Sequence, residues 1–136
     1  MSLQEQEGFI PVLGEYRVWY RSVGGGVADE NIPLLALHGG PGIPHDYIEN
    51  LADLASDTQR ILFYDQLGCG RSDKPDDTSL WRVERFVEEL GMVRRTLGLD
   101  KVHLLGQSWG GMLAIEYALT QPPGLISLIL ASTLSS

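Results

Sequence analysis

A strand that turns sharply into a helix is the feature that most constrains the fold of this chain. Residues 102–105 are typical of a buried strand, and they run directly into the segment Gly106-Gln107-Ser108-Trp109-Gly110. Residues 109–120 then have the apolar character of a helix packed against a core. Glycines two residues either side of Ser108 leave room for a tight turn without side-chain clashes. We therefore predict that Ser108 lies exposed at the tip of a strand-to-helix turn.

Strand and helix signals alternate along the rest of the chain. An opening hairpin is predicted over 9–12 and 16–23, with its turn at Leu13-Gly14-Glu15. Further strands are predicted over 33–37, 60–64 and 125–131, and helices over 47–54 and 80–97. Asp77, Thr78 or Ser79 could cap the start of the long helix, and Gly98 its end. The pattern predicts an α/β fold: a leading hairpin, then a mostly parallel sheet with helices on both faces.

Three loops are expected at one edge of this sheet, because sites in such folds lie beyond the carboxyl ends of the strands. The loop after residue 37 reads His38-Gly39-Gly40-Pro41-Gly42, the loop after residue 64 opens with Asp65, and the third contains Ser108. Residues 1–136 are expected to form part of a single domain that carries all three loops.

The residue types in these loops suit acyl transfer. A serine hydroxyl becomes a nucleophile once a base removes its proton. The amide of Trp109 would lie at a helix N-terminus, where free backbone donors favour a developing oxyanion. We predict that the Gly40 amide is the second donor, since Pro41 has no N–H and fixes the loop. A cis bond between Gly40 and Pro41 is a further hypothesis.

The motifs together resemble a known family. Three segments resemble the α/β-hydrolase fold, and more narrowly the proline iminopeptidase group. They are the His38 to Gly42 loop, the segment Asp65-Gln66-Leu67-Gly68-Cys69-Gly70-Arg71-Ser72 and the Ser108 turn. The resemblance covers nearly the whole chain but only the N-terminal half of such an enzyme, ending before its helical cap.

What the resemblance implies is a serine aminopeptidase. Ser108 would be the nucleophile, and the amides of Gly40 and Trp109 would form the oxyanion hole. The substrate would be contacted by Gly39, Gly40 and Trp109. The reaction would release an N-terminal residue, with proline preferred, from a peptide or amide. Open alternatives are an amino-acid amidase or esterase of the same fold and, from another class, a non-catalytic truncated fragment. Dehalogenase and epoxide-hydrolase chemistry need an Asp nucleophile, so Ser108 disfavours both.

The acid and base of a triad are not visible after Ser108. No His follows it, and the one later carboxylate, Glu116, falls inside the predicted helix. In this fold both partners follow the nucleophile. We therefore expect a C-terminal companion fragment that supplies Asp and His, and a chain that is nearly inactive alone. Residues 125–130 would otherwise form an open apolar sheet edge.

Other polar residues in the loops have structural interpretations. Asp65 is expected to pin residues 68–72 by hydrogen bonds, His38 to organise its loop, and Cys69 to pack. No close cluster has metal-ligand spacing, and Gly68-x-Gly70 is too short for a dinucleotide fingerprint, so no metal or cofactor is expected.

The overall composition narrows the possible partners. A net charge of −8 argues against nucleic acid and against anionic membrane surfaces. A single cysteine and an N-terminus without signal-peptide character favour a cytoplasmic location.

Overall fold

A six-stranded sheet with two α-helices forms the body of the protein. The computed structural model describes residues 4–25, 31–39 and 53–131. The strands are β1 (Glu5–Val12), β2 (Tyr16–Val23), β3 (Leu34–Leu37), β4 (Ile61–Tyr64), β5 (Val102–Gln107) and β6 (Leu125–Ala131). The helices are α1 (Val83–Thr96) and α2 (Trp109–Leu119), with a short 3-10 helix at Thr78–Leu80.

The sheet has the strand order β1-β2-β4-β3-β5-β6. β1, β2 and β4 pair antiparallel, whereas β4, β3, β5 and β6 run parallel. The hairpin turn over residues 13–15 places Leu13 and Gly14 at φ values of 55° and 76°, in the left-handed region that tight hairpin connections use. The predicted α/β class, with a leading hairpin and a mostly parallel sheet, is confirmed. The carboxyl ends of β3, β4 and β5 meet at one edge.

The main core fills the space between the sheet and both α-helices. Its buried members include Leu35, Leu37, Leu62, Tyr64 and Leu104 from the sheet, Phe86, Leu90 and Val93 from α1, and Leu113 and Tyr117 from α2. A smaller cluster of Val23, Ala36, Ile61 and Phe63 lies on the opposite face. Of the helix predicted over 47–54, only the last two residues fall within the described ranges. No helix in those ranges is long and apolar enough to cross a membrane.

The start of α1 is later than the sequence pattern indicated. The helix begins at Val83 rather than at residue 80, because Thr78–Leu80 form a separate 3-10 turn. Asp77 caps this turn: its carboxylate accepts a hydrogen bond of 3.0 Å from the Ser79 amide. Gly98 follows α1 with a φ of 68°, which agrees with its predicted place at the helix end.

A buried ion pair ties α1 to the loop after β4. Arg85 donates from Nη1 to Glu89 Oε1 at 2.9 Å, one helical turn away. Both carboxylate oxygens of Glu89 also accept from the Leu67 amide at 3.3 Å. Burial raises the pKa of Glu89 to about 7, although Arg85 and the Leu67 amide both act to lower it. The buried carboxyl group of Glu89 therefore joins a helix to a loop, and its ionised form is disfavoured by desolvation.

The raised pKa of Glu89 predicts a pH-dependent stability. Folded Glu89 keeps its proton up to about pH 7, whereas an unfolded glutamate releases its proton near its ordinary value. The unfolded state then binds fewer protons in this window, so the free energy of unfolding falls as pH rises toward 7. In the wild type we expect the free energy of unfolding to decline by an amount on the order of 3 kcal/mol over this window, and Glu89→Gln should abolish the decline. Urea unfolding at several pH values between about 5 and 8 measures it.

Glu88→Gln is the matched control, because Glu88 is the exposed neighbour on the same helix and the substitution removes the same charge. It should leave the pH dependence of the unfolding free energy as in the wild type. Equal pH slopes in the wild type and in Glu89→Gln would contradict the assignment.

Candidate active site

Ser108 lies at the tip of a strained turn between β5 and α2. Its backbone angles are φ 55° and ψ −119°, which a residue other than glycine rarely adopts. The side chain is exposed. A Cβ on Gly106 would lie 2.3 Å from the carbonyl oxygen of Gly110, so the turn can close this tightly only with glycine there. The predicted strand-to-helix turn is thus present, with Ser108 presented to solvent.

The first backbone amides of α2 surround this serine. Gly111 is the donor of the 2.8 Å bond to the Ser108 carbonyl, and Met112 adds a longer one of 3.3 Å. The amides of Trp109 and Gly110 precede these donors and belong to the first turn, whose N–H groups have no partner within a helix. The positive end of the helix dipole lies at the same place. The Trp109 amide is therefore suitably placed to donate to an anion formed beside Ser108.

The loop after β3 is in direct contact with the turn. A Cβ built on Gly39 would lie 3.1 Å from the Cβ of Ser108 and 3.1 Å from the carbonyl oxygen of Gln107. The structure therefore places the loop that contains Gly39 against the turn that contains Ser108 and Trp109. The roles of these residues in catalysis and substrate binding stay predictions. Gly40, the expected second donor, and its bond to Pro41 lie outside the described residues.

The loop after β4 is held by its own polar groups. Buried Asp65 accepts a hydrogen bond of 3.0 Å from the Arg71 amide. The hydroxyl of Ser72 donates to the Asp65 carbonyl and accepts from the Trp19 amide at 2.8 Å. Cys69 is buried in the same loop. The contacts of Asp65 are those expected of a residue that pins residues 68–72.

Gln66 is the site residue that the sequence reasoning missed. It is fully buried, and its side-chain amide donates to the His38 carbonyl at 3.3 Å. Its side-chain oxygen accepts from Trp109 Nε1 at 3.0 Å. One residue thus contacts both of the other loops. The available signal was a polar amide directly after the wholly apolar strand β4 and Asp65.

The two described histidines are engaged within the fold. His38 is buried, and its Nε2 accepts from the backbone amide of Gln66 at 3.0 Å. Because a backbone N–H can only donate, Nε2 carries no proton, and the ring proton lies on Nδ1, 3.3 Å from the Gly39 carbonyl oxygen. At the start of β5, His103 bonds Ser127 at 2.6 Å. His38 therefore organises its loop, as predicted.

The indole of Trp109 is anchored by aromatic packing. Its ring meets Phe86 edge to face, with centroids 5.8 Å apart, and Phe86 in turn stacks on Trp81 at 6.1 Å. These contacts hold the indole against Phe86 of α1. Within the described ranges no group of three or more His, Cys, Asp or Glu side chains could hold a metal ion.

The sequence and fold of this chain are similar to those of known proteins. A family described as the alpha/beta hydrolase fold matches residues 32–136. The proline iminopeptidase of Clostridium botulinum is 50% identical over 129 residues, which are 94% of this chain and 43% of the relative. That of Lactiplantibacillus plantarum is 55% identical over 123 residues, covering 89% of this chain and 42% of the relative.

A solved structure agrees with these relatives. The crystal structure of the proline iminopeptidase of Mycobacterium smegmatis superposes with a TM-score of 0.86 at 37% identity, over 96% of this chain and 45% of that one. The chain thus spans less than half the length of the proteins it matches. The resemblance drawn from the three motifs, to the N-terminal half of this group, is confirmed.

Close packing at the start of α2 predicts opposite effects for two glycine substitutions. In Gly110→Ala the new Cβ would lie 2.4 Å from the Leu37 carbonyl oxygen, so we expect a loss of about 2 kcal/mol or more in the free energy of unfolding. In Gly91→Ala, inside α1, the Cβ would lie 3.4 Å from the flexible end of Arg95, and better helix propensity should add about 0.5–1 kcal/mol.

Urea unfolding of both variants checks the pair, with Gly91→Ala as the matched control for the change from glycine to alanine. Equal changes of the same sign in the free energy of unfolding would show that the close contact of Gly110 with β3 does not exclude a side chain at this position.

Proposed function

Because the chain belongs to the α/β-hydrolase fold family, we propose that it carries the nucleophile and oxyanion-binding loops of a serine aminopeptidase of the proline iminopeptidase type. The observation that carries the proposal is the geometry at Ser108. An exposed hydroxyl on a strained turn stands at the N-terminus of α2, next to the Trp109 amide, and against Gly39. That combination presents a nucleophile and anion donors to the same small volume.

The proposed reaction has two halves. Ser108 Oγ attacks the scissile carbonyl while a base takes its proton, and the resulting oxyanion is held by the amides of Trp109 and Gly40. The tetrahedral intermediate then breaks its C–N bond, the leaving amine takes that proton, and an acyl-enzyme remains. Water then loses a proton to the same base and attacks the ester carbonyl. The second tetrahedral intermediate breaks its C–O bond to Ser108, whose Oγ takes the proton from the base, and the free acid leaves.

The substrate class comes from the relatives. The curated proteins at 50% and 55% identity are called proline iminopeptidases. We extend that activity to this chain as release of an N-terminal residue, preferentially proline, from a peptide or amide. An amino-acid amidase or an esterase would use the same nucleophile and would differ in the bond it cleaves.

The acid and base are assigned to a C-terminal segment. The chain spans 42–43% of the length of these two relatives, and its sequence has no His after Ser108. In the described part of the chain β6 pairs on one side only, with β5. Its Ile126, Ile129 and Leu130 are 43–48% exposed, and this apolar edge suits a further strand. Residues 1–136 would then be one part of a single domain.

Complementation tests the proposal. The 136-residue chain is coexpressed with the C-terminal remainder of the Clostridium botulinum relative, and the complex is purified through a tag on that remainder. A phosphonate ester of proline should add covalently to Ser108, and the complex should hydrolyse proline amides. Ser108→Ala should lose the adduct and about 10⁴-fold or more in turnover. Intact mass and peptide mapping locate the adduct.

Ser79→Ala is the control, because Ser79 is an exposed serine in the 3-10 helix whose hydroxyl donates a hydrogen bond to the Asp77 carboxylate. It should keep both adduct and turnover. If the complex hydrolyses esters but not amides, the activity is that of an esterase and not of an aminopeptidase. A purified complex without an adduct would refute serine catalysis and favour a non-catalytic chain.

A further inference from the structure

Gln66 joins the two halves of the proposed oxyanion hole through one buried amide. Its side chain reaches the His38 carbonyl, 28 residues earlier, and the Trp109 indole, 43 residues later. His38 directly precedes Gly39, which borders Ser108, and Trp109 directly follows Ser108. The two atoms that Gln66 holds therefore belong to the two segments that carry the candidate donors.

The chemistry of this bridge fits an amide better than other side chains. A carbonyl oxygen only accepts, and the indole N–H only donates, so the bridging residue must donate on one side and accept on the other. A neutral primary amide does both at once. A carboxylate would accept from Trp109 but face the His38 carbonyl with a second acceptor. A methionine would fill the space and leave both partners unsatisfied.

The backbone of Gln66 strengthens the same link. Its N–H donates to His38 Nε2 at 3.0 Å, so the ring and the carbonyl of His38 are both fixed by one residue. The His38 carbonyl oxygen also lies where a Cβ on Gly110 would be 2.6 Å away, at the first turn of α2. A displacement of this peptide would therefore alter the spacing between the loop and the Ser108 turn.

We propose that Gln66 is a positioning residue that sets the separation of the two oxyanion-hole segments, acting through His38 on one side and Trp109 on the other. The inference rests on the proposed function, because a hole that binds no oxyanion needs no fixed separation. It assigns to Gln66 a role in the rate of acylation rather than in substrate binding. Misplaced donors weaken transition-state stabilisation more than ground-state binding.

The test compares Gln66→Met with Gln66→Glu in the coexpressed complex. Active sites are first titrated with the proline phosphonate, so that kcat refers to functional molecules only. We expect Gln66→Met to lower kcat per titrated site by roughly ten- to a hundredfold with little change in KM. Gln66→Glu should lower it as well, because it loses the donor toward His38.

Gln59→Met is the matched control. The side-chain amide of Gln59 also donates to backbone carbonyls, those of Ile32 and Arg60, but it lies at the opposite end of β3 and β4. It should reduce stability without changing kcat per titrated site. If Gln66 were merely structural, its variants would behave as Gln59→Met does, with fewer active molecules and an unchanged kcat for each.

A spectroscopic readout follows the bridge itself. The indole N–H resonance of Trp109, assigned by its loss in Trp109→Phe, should move upfield in Gln66→Met and stay near its wild-type position in Gln66→Glu. An unmoved resonance in Gln66→Met, or an unchanged kcat per titrated site, would overturn the positioning role alone. A wild-type complex that neither hydrolyses proline amides nor takes up the phosphonate would overturn the proposed function first, before any variant is compared.

Discussion

The site depends on how closely the first turn of α2 approaches the end of β3. A side chain at Gly110 would come within 2.4 Å of the Leu37 carbonyl oxygen and 2.6 Å of that of His38. Only glycine allows this approach. It places Gly39 against Ser108 and brings the loop after β3 beside the first turn of α2. The end of β3, the loop that follows it and the first turn of α2 thus meet beside Ser108.

The loop after β4 stabilises this close approach of α2 to β3. Asp65 pins its own loop through the Arg71 amide, and Glu89 holds the Leu67 amide from α1. Gln66 lies between these two anchors and reaches both neighbouring loops. Buried polar groups are costly unless they are hydrogen-bonded, so each anchor disfavours alternative arrangements of the loop. The loops next to the exposed Ser108 are consequently held in one arrangement by these hydrogen bonds.

Local patterns explain why much of the fold could be predicted. A wholly apolar segment such as Ile61–Tyr64 is typical of a buried strand, and glycines spaced around Ser108 indicate the turn. The start of α1 was predicted three residues early, because Asp77 caps a separate 3-10 turn that periodicity does not distinguish from a helix. The bridge at Gln66 was missed, since its partners are 28 and 43 residues away in sequence. Such long-range hydrogen bonds leave no local pattern.

The central claim is that the backbone at the start of α2 receives the negative charge formed when Ser108 attacks. A crystal structure of the phosphonate adduct, in complex with the C-terminal remainder, tests it most directly. We expect the phosphorus atom to be bonded to Ser108 Oγ, and its phosphonyl oxygen to lie about 2.7–3.1 Å from the Trp109 amide nitrogen. An adduct whose oxygens all face solvent, or one formed on another residue, would contradict it.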